Sequence, residues 1–107
     1  MVYDAYMRQK SDFTSTAVLD TLASLGARIR RARRARKLSL TDLEQRTRIH
    51  RSTLGRLELG DAGVSIGVFL TVLESLQELS DIALLVSHPE TPRHLRVAPP
   101  PELDQDF

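Results

Sequence analysis

Residues 39–60 read SLTDLEQRTRIHRSTLGRLELG, two short helical patterns separated by three residues. Ser39 stands where its hydroxyl can accept a bond from the amide of Asp42, and the Asp42 carboxylate can return one to the Ser39 amide. An acid in the first turn also suits the positive end of the helix dipole. The pattern predicts a helix over about 40–47, a tight turn at Arg48-Ile49-His50 and a second helix over 51–59. Gly60 ends that helix in a left-handed conformation, which glycine adopts without a Cβ clash.

Upstream, Leu22, Leu25, Ile29 and Ala32 recur at spacings of three and four. At about 100° per residue they fall within an arc of roughly 80°, one face of a helix. The helical pattern runs over about 15–37, and Gly26 leaves open whether it is one long helix or two short ones. Downstream, DAGV is a loop and Ser65 caps a helix whose stripe is Ile66, Phe69, Leu70, Leu73 and Leu76. Ser80 caps a last helix, DIALLVS, whose run Ile82, Ala83, Leu84, Leu85, Val86 is more apolar than a one-sided surface helix requires. Pro89, Pro92 and Pro99–Pro101 predict an extended tail. The expected organisation is all-α: a flexible segment at 1–13, a five-helix domain at 14–87 and a proline-rich tail at 88–107.

The chain has 107 residues, room for one small domain. It has no cysteine, so it carries no disulfide and no thiolate metal site. No apolar run approaches the roughly 18–20 residues that span a bilayer, and a cytosolic location with no membrane partner is expected. The formal net charge of +1 conceals a division. Residues 28–56 hold eleven Lys and Arg against two acids, whereas residues 57–107 hold two Arg against nine acids. A polyanion-facing middle segment follows. His88, Glu90 and His94 lie in the proline-rich stretch without a scaffold, so no metal or cofactor is expected. No nucleophile–base–orienter set and no phosphate-binding glycine loop point to an enzyme.

Two short helices with arginines on the second suggest a helix-turn-helix. The stretch from LGARIRRAR through LELG to GVFLTVLESL resembles the DNA-binding domain of the xenobiotic-response-element and phage-repressor family over roughly residues 25–76. Its landmarks are Leu43, Ile49, Leu54 and Leu57, together with LELG at 57–60. GDAGVSIGVFLTVLESL followed by LSDIALL is more similar to the HipB-like antitoxin branch. The resemblance implies a repressor-like domain whose third helix enters the major groove of double-stranded DNA. It also implies a homodimer on a near-palindromic operator and a HipA-like kinase toxin as partner.

Within that frame Arg51, Ser52, Thr53 and Arg56 are the base-reading candidates, since an arginine fork matches the guanine edge. Ser39, Thr41, Arg34, Arg36, Lys37, Arg46 and Arg48 are candidates for phosphate contact, which sets affinity and orientation. The resemblance implies an ion pair between Arg33 and Glu58. Ile82, Leu84, Leu85 and Val86 are the dimerisation candidates. About half of the arginines in RIRRARRARK at 28–37 are expected to face solvent, because Arg28 and Arg31 lie on the opposite flank from Arg30, Arg34 and Lys37. The chain departs from the family pattern at Leu40, where a polar residue is common, at Glu44 in place of Ala, at His50 in place of a Ser or Thr cap, and at Lys37 in place of Gly. A stand-alone phage-type regulator, and an interaction module with degenerate DNA binding, are the alternative readings.

Overall fold

The computed structural model describes residues 14–96, so the expectations for 1–13 and for the tail beyond 96 lie outside the described residues. Among the described residues four α-helices, α1 (Thr16–Ala35), α2 (Leu40–Thr47), α3 (Arg51–Glu58) and α4 (Ile66–Ser75), precede a 3-10 helix at Leu79–Leu84 and a 3-10 turn at Arg93–Leu95. The architecture is the all-helical one that the sequence predicts, with the Leu79–Leu84 element in fifth place.

Three α-helices start on a serine. Ser15 Oγ accepts from the Val18 amide at 3.1 Å, Ser39 Oγ from Asp42 at 2.9 Å and Ser65 Oγ from Val68 at 3.1 Å. Each such cap contributes roughly 1 kcal/mol. The capping box is complete, because the Ser39 amide donates to Asp42 Oδ2 at 2.8 Å. At α3 an imidazole replaces the hydroxyl, and His50 Nδ1 accepts from the Ser52 amide at 3.0 Å.

Three helices also end alike. The amide two residues past the cap reaches back to the carbonyl three residues inside the helix: Leu38 to Arg33 at 3.2 Å, Asp61 to Arg56 at 3.0 Å and Glu78 to Leu73 at 2.8 Å. The residue between cap and donor is left-handed each time, with φ of 57° at Lys37, 82° at Gly60 and 64° at Gln77. Only Gly60 adopts this without the cost of about 1–2 kcal/mol that a Cβ incurs.

The question left open by Gly26 is resolved: α1 is one unbroken helix, and Gly26 is where it meets the end of α3. A Cβ there would lie 2.6 Å from the carbonyl oxygens of both Leu57 and Glu58. Ile29, Leu43, Leu54, Val72, Leu73 and Leu76 form the buried core, with Leu25, Ala32, Ile49, Leu57, Phe69 and Leu70 packed around it.

Two sequence expectations are corrected. The predicted stripe on α4 includes Ile66, which is 73% exposed, and omits Val72, which is fully buried. Because α4 packs against α2 and also against the 3-10 helix, its buried arc is wider than a single stripe. The second correction concerns DIALLVS, which is not an α-helix capped by Ser80. A 3-10 helix over Leu79–Leu84 follows Glu78 with no side-chain cap, and Ser80 lies inside it. Glu78 is already used to close α4, and the extended Leu85 followed by Val86 at φ 48° stops the chain before an α-helical turn can propagate. Among the described residues no helix is long and apolar enough to cross a membrane.

Candidate nucleic-acid interface

The geometry of α2 and α3 is set from behind by a charged pair. Arg33 Nε donates to Glu58 Oε2 at 2.6 Å and Arg33 Nη2 to Glu58 Oε1 at 3.0 Å, a two-pronged bond between side chains that are 9% and 6% exposed. Arg33 Nη1 donates to the Leu38 carbonyl at 2.8 Å, so one guanidinium ties α1, the segment entering α2 and the end of α3 together. The hydrogen bond to Glu58 raises the arginine's pKa further above its already high ordinary value, against the opposing effect of burial. Among the described residues no buried side-chain nitrogen or oxygen lacks a hydrogen-bond partner.

The turn between α2 and α3 is closed by Arg48, whose left-handed backbone (φ 61°) lets its amide reach the Glu44 carbonyl at 2.7 Å. Thr47 reinforces it, donating its hydroxyl to the Leu43 carbonyl at 2.8 Å and accepting from the Ile49 amide at 3.2 Å. Leu54 is fully buried and Leu57 half-buried, so the opposite side of α3 faces outward. Arg51, Ser52 and Arg56 are exposed there, and Thr53 and Gly55 are half-buried. A Cβ on Gly55 would meet nothing within 4 Å.

Arg51 Nη1 lies 3.4 Å from Thr41 Oγ1, which joins the first turns of α2 and α3 at one edge. Ser52 Oγ sits 2.8 Å from His50 Nδ1. Arg56 is held: its Nε donates to Asp61 Oδ2 at 2.8 Å. Ser39 is exposed at the start of α2, and Arg34, Lys37, Arg46 and Arg48 are exposed around the two helices. Arg36 turns elsewhere, donating to the Ala32 carbonyl at 2.8 Å and to Glu78 Oε2 at 3.0 Å. Arg28, on the opposite flank of α1, bonds the Ser24 hydroxyl at 3.3 Å. Glu44 is half-buried and has no ion-pair partner among the described residues.

Two short helices, a three-residue turn and an outward-facing, arginine-bearing second helix make a helix-turn-helix. The family model described as a helix-turn-helix domain matches residues 24–96, well over half of the chain. The chain belongs to the helix-turn-helix domain family. DNA-binding regulation is the function that goes with it. No curated protein and no solved structure matches the chain significantly.

Within this helix-turn-helix domain, sequence reasoning missed the Arg56–Asp61 and Arg36–Glu78 pairs. The first had a signal in Gly60, because a left-handed residue at that point brings the next side chain back over the helix. The second joins residues 42 apart in the chain and has none. Near the C-terminal end, Ile82 is half-buried against the core while Leu84, Leu85 and Val86 are 75%, 63% and 73% exposed. Of these Leu85 lines a groove of about 600 Å³ between α1, α4 and the 3-10 helix, together with Leu25, Ile29, Phe69, Leu73 and Ile82 among others. Residues 88–96, assigned to the tail by the proline pattern, include the 3-10 turn at Arg93–Leu95, where Arg96 donates to the carbonyls of Thr91 and His88 at 2.9 and 3.2 Å. Among the described residues no three His, Asp or Glu side chains converge as a metal site.

Proposed function

We propose that the protein is a sequence-specific transcriptional repressor that lays α3 in the major groove. Arg51, Ser52, Thr53 and Arg56 read bases, and Ser39, Thr41, Arg34, Lys37, Arg46 and Arg48 hold phosphates. The observation that carries this reading is the Arg51–Thr41 contact at 3.4 Å, which sets a guanidinium beside a hydroxyl on one exposed edge where the first turns of both motif helices meet. Cations around that edge supply the sequence-independent part of the affinity. Arg36 is left out of the phosphate set because its guanidinium is directed to the Ala32 carbonyl and to Glu78 at the start of the 3-10 helix, outside α2 and α3.

The exposed Leu84, Leu85 and Val86, with Leu85 lining the apolar groove, support dimerisation through this end. Two-fold pairing would place two copies of α3 roughly 34–36 Å apart on a near-palindromic operator. The resemblance to the HipB-like branch extends the proposal to an antitoxin in the bacterial cytosol that binds a HipA-like kinase and represses its own operon. That step rests on the resemblance alone, and co-purification with the product of the adjacent gene tests it.

Fluorescence anisotropy on the chain's own upstream duplex and on a scrambled duplex, across a salt series, tests the core of the proposal. Wild type should prefer the native duplex by at least about 10³. Arg51→Ala with Arg56→Ala should lose most of that preference and keep a salt-dependent remainder. Equal, weak binding of wild type to both duplexes would refute specific recognition.

A further inference from the structure

We propose that Asp61 is a positioning residue for base reading, holding the Arg56 guanidinium in the orientation from which it meets a guanine. This rests on the major-groove placement of α3 proposed above.

The closure at the end of α3 sets the side chain two residues past the cap over the one three residues inside the helix, a contact that is ordinarily apolar. Here the two residues are Asp61 and Arg56. The carboxylate is fixed before it meets the arginine. The Asp61 amide donates to the Arg56 carbonyl at 3.0 Å, and Asp61 Oδ1 accepts from the Gly63 amide at 2.7 Å. Asp61 Oδ2 is thereby aimed at Arg56 Nε, 2.8 Å away. The pair stays accessible, with side chains 47% and 36% exposed.

An arginine gripped at Nε loses much of its rotamer freedom before any partner arrives, which lowers the ordering cost of binding. The end-on Nη1–Nη2 edge is the one that guanine O6 and N7 would take. A carboxylate beside a surface that meets phosphates weakens binding to every sequence alike. What it can add is orientation, and therefore specificity.

The test is selection of a pool of random duplexes, about 24 base pairs long, by the full chain and by Arg56→Ala, Asp61→Ala, Asp61→Asn and the Arg56→Ala/Asp61→Ala double variant. Wild type is expected to enrich a guanine that Arg56→Ala loses. Asp61→Ala and Asp61→Asn should each lose roughly tenfold of the preference for that same base. The double variant should be no worse than Arg56→Ala, and binding to a scrambled duplex should be unchanged or tighter. If Asp61→Ala melts in circular dichroism, Asp61→Asn decides, since its amide oxygen can still accept from Gly63. Retention of the guanine preference by the Asp61 variants, with or without tighter overall binding, would overturn the proposal and leave Asp61 as a helix cap or a charge brake. An enriched wild type that Arg56→Ala leaves unchanged also overturns it, while Arg51 and Ser52 can still read bases. A wild type that enriches nothing removes the placement of α3, and this proposal with it.

Discussion

At the residue scale the Arg33–Glu58 pair dominates, because both charges are almost out of water: Glu58 is answered by Arg33, and Arg33 by Glu58 and the Leu38 carbonyl. Removing one partner strands the other, at a typical cost of about 3–5 kcal/mol. Arg33→Ala is therefore expected to lower the unfolding free energy by that amount in urea denaturation. The Arg33→Met/Glu58→Leu double variant should recover most of it, and a double variant as damaged as the sum of its singles would show that the pair is not the source. Asp42 responds to pH. The hydrogen bonds it shares with Ser39, that from the backbone amide foremost, hold its carboxyl below the ordinary value of 3.8. A depressed carboxyl contributes stability that is fully present above its unfolded pKa and lost as pH falls through the folded one. The stability difference between wild type and Asp42→Asn should hold from neutral pH to about 5 and shrink as pH falls below 3.8, read from urea midpoints. The capping box is legible in sequence because its two partners stand three positions apart. The Arg33–Glu58 pair is legible only through family resemblance, since no local rule links positions 25 apart.

At the scale of elements two glycines play opposite parts. Gly26 sits inside α1 because the helix must touch the carbonyls that end α3, and a Cβ there would overlap both Leu57 and Glu58 oxygens. Gly55 sits inside α3 with open space around it. Gly55→Ala should stabilise the fold by up to about 1 kcal/mol through helix propensity. Gly26→Ala should destabilise it by roughly 1–3 kcal/mol as α1 and α3 are forced apart. Thermal unfolding of the two variants checks both signs, and equal effects would mean that the interhelical contact is looser than the 2.6 Å approach implies. Sequence periodicity treats the two glycines alike, because it records position on a helix and not what lies across from it. The same limit explains the fifth element. Its apolar run predicts an α-helix, but the way α4 closes on Glu78 leaves the chain only a tighter turn.

At the scale of the molecule the charge division becomes a division of surfaces. Arg36 is directed to Glu78, whereas Arg46 and Arg48 stay exposed beside the motif helices. Removing a cation that neutralises one phosphate lowers the slope of log K against log salt by about 0.9. Arg46→Ala should therefore reduce the slope by about that much per subunit bound, and Arg36→Ala should leave it unchanged; a reduced slope for Arg36→Ala would mean that Glu78 releases it to DNA. The sequence by itself determined the starts of α2 and α4 at Ser39 and Ser65, the left-handed stop at Gly60 and the helix-turn-helix order, because caps, glycine and periodicity act over four residues or fewer. Only the tertiary structure decided the unbroken α1, the burial of Val72 and the separate fates of Arg36 and Arg56. An arginine's role depends on which carboxylate the fold brings within about 3 Å, and distance along the chain says little about distance in space.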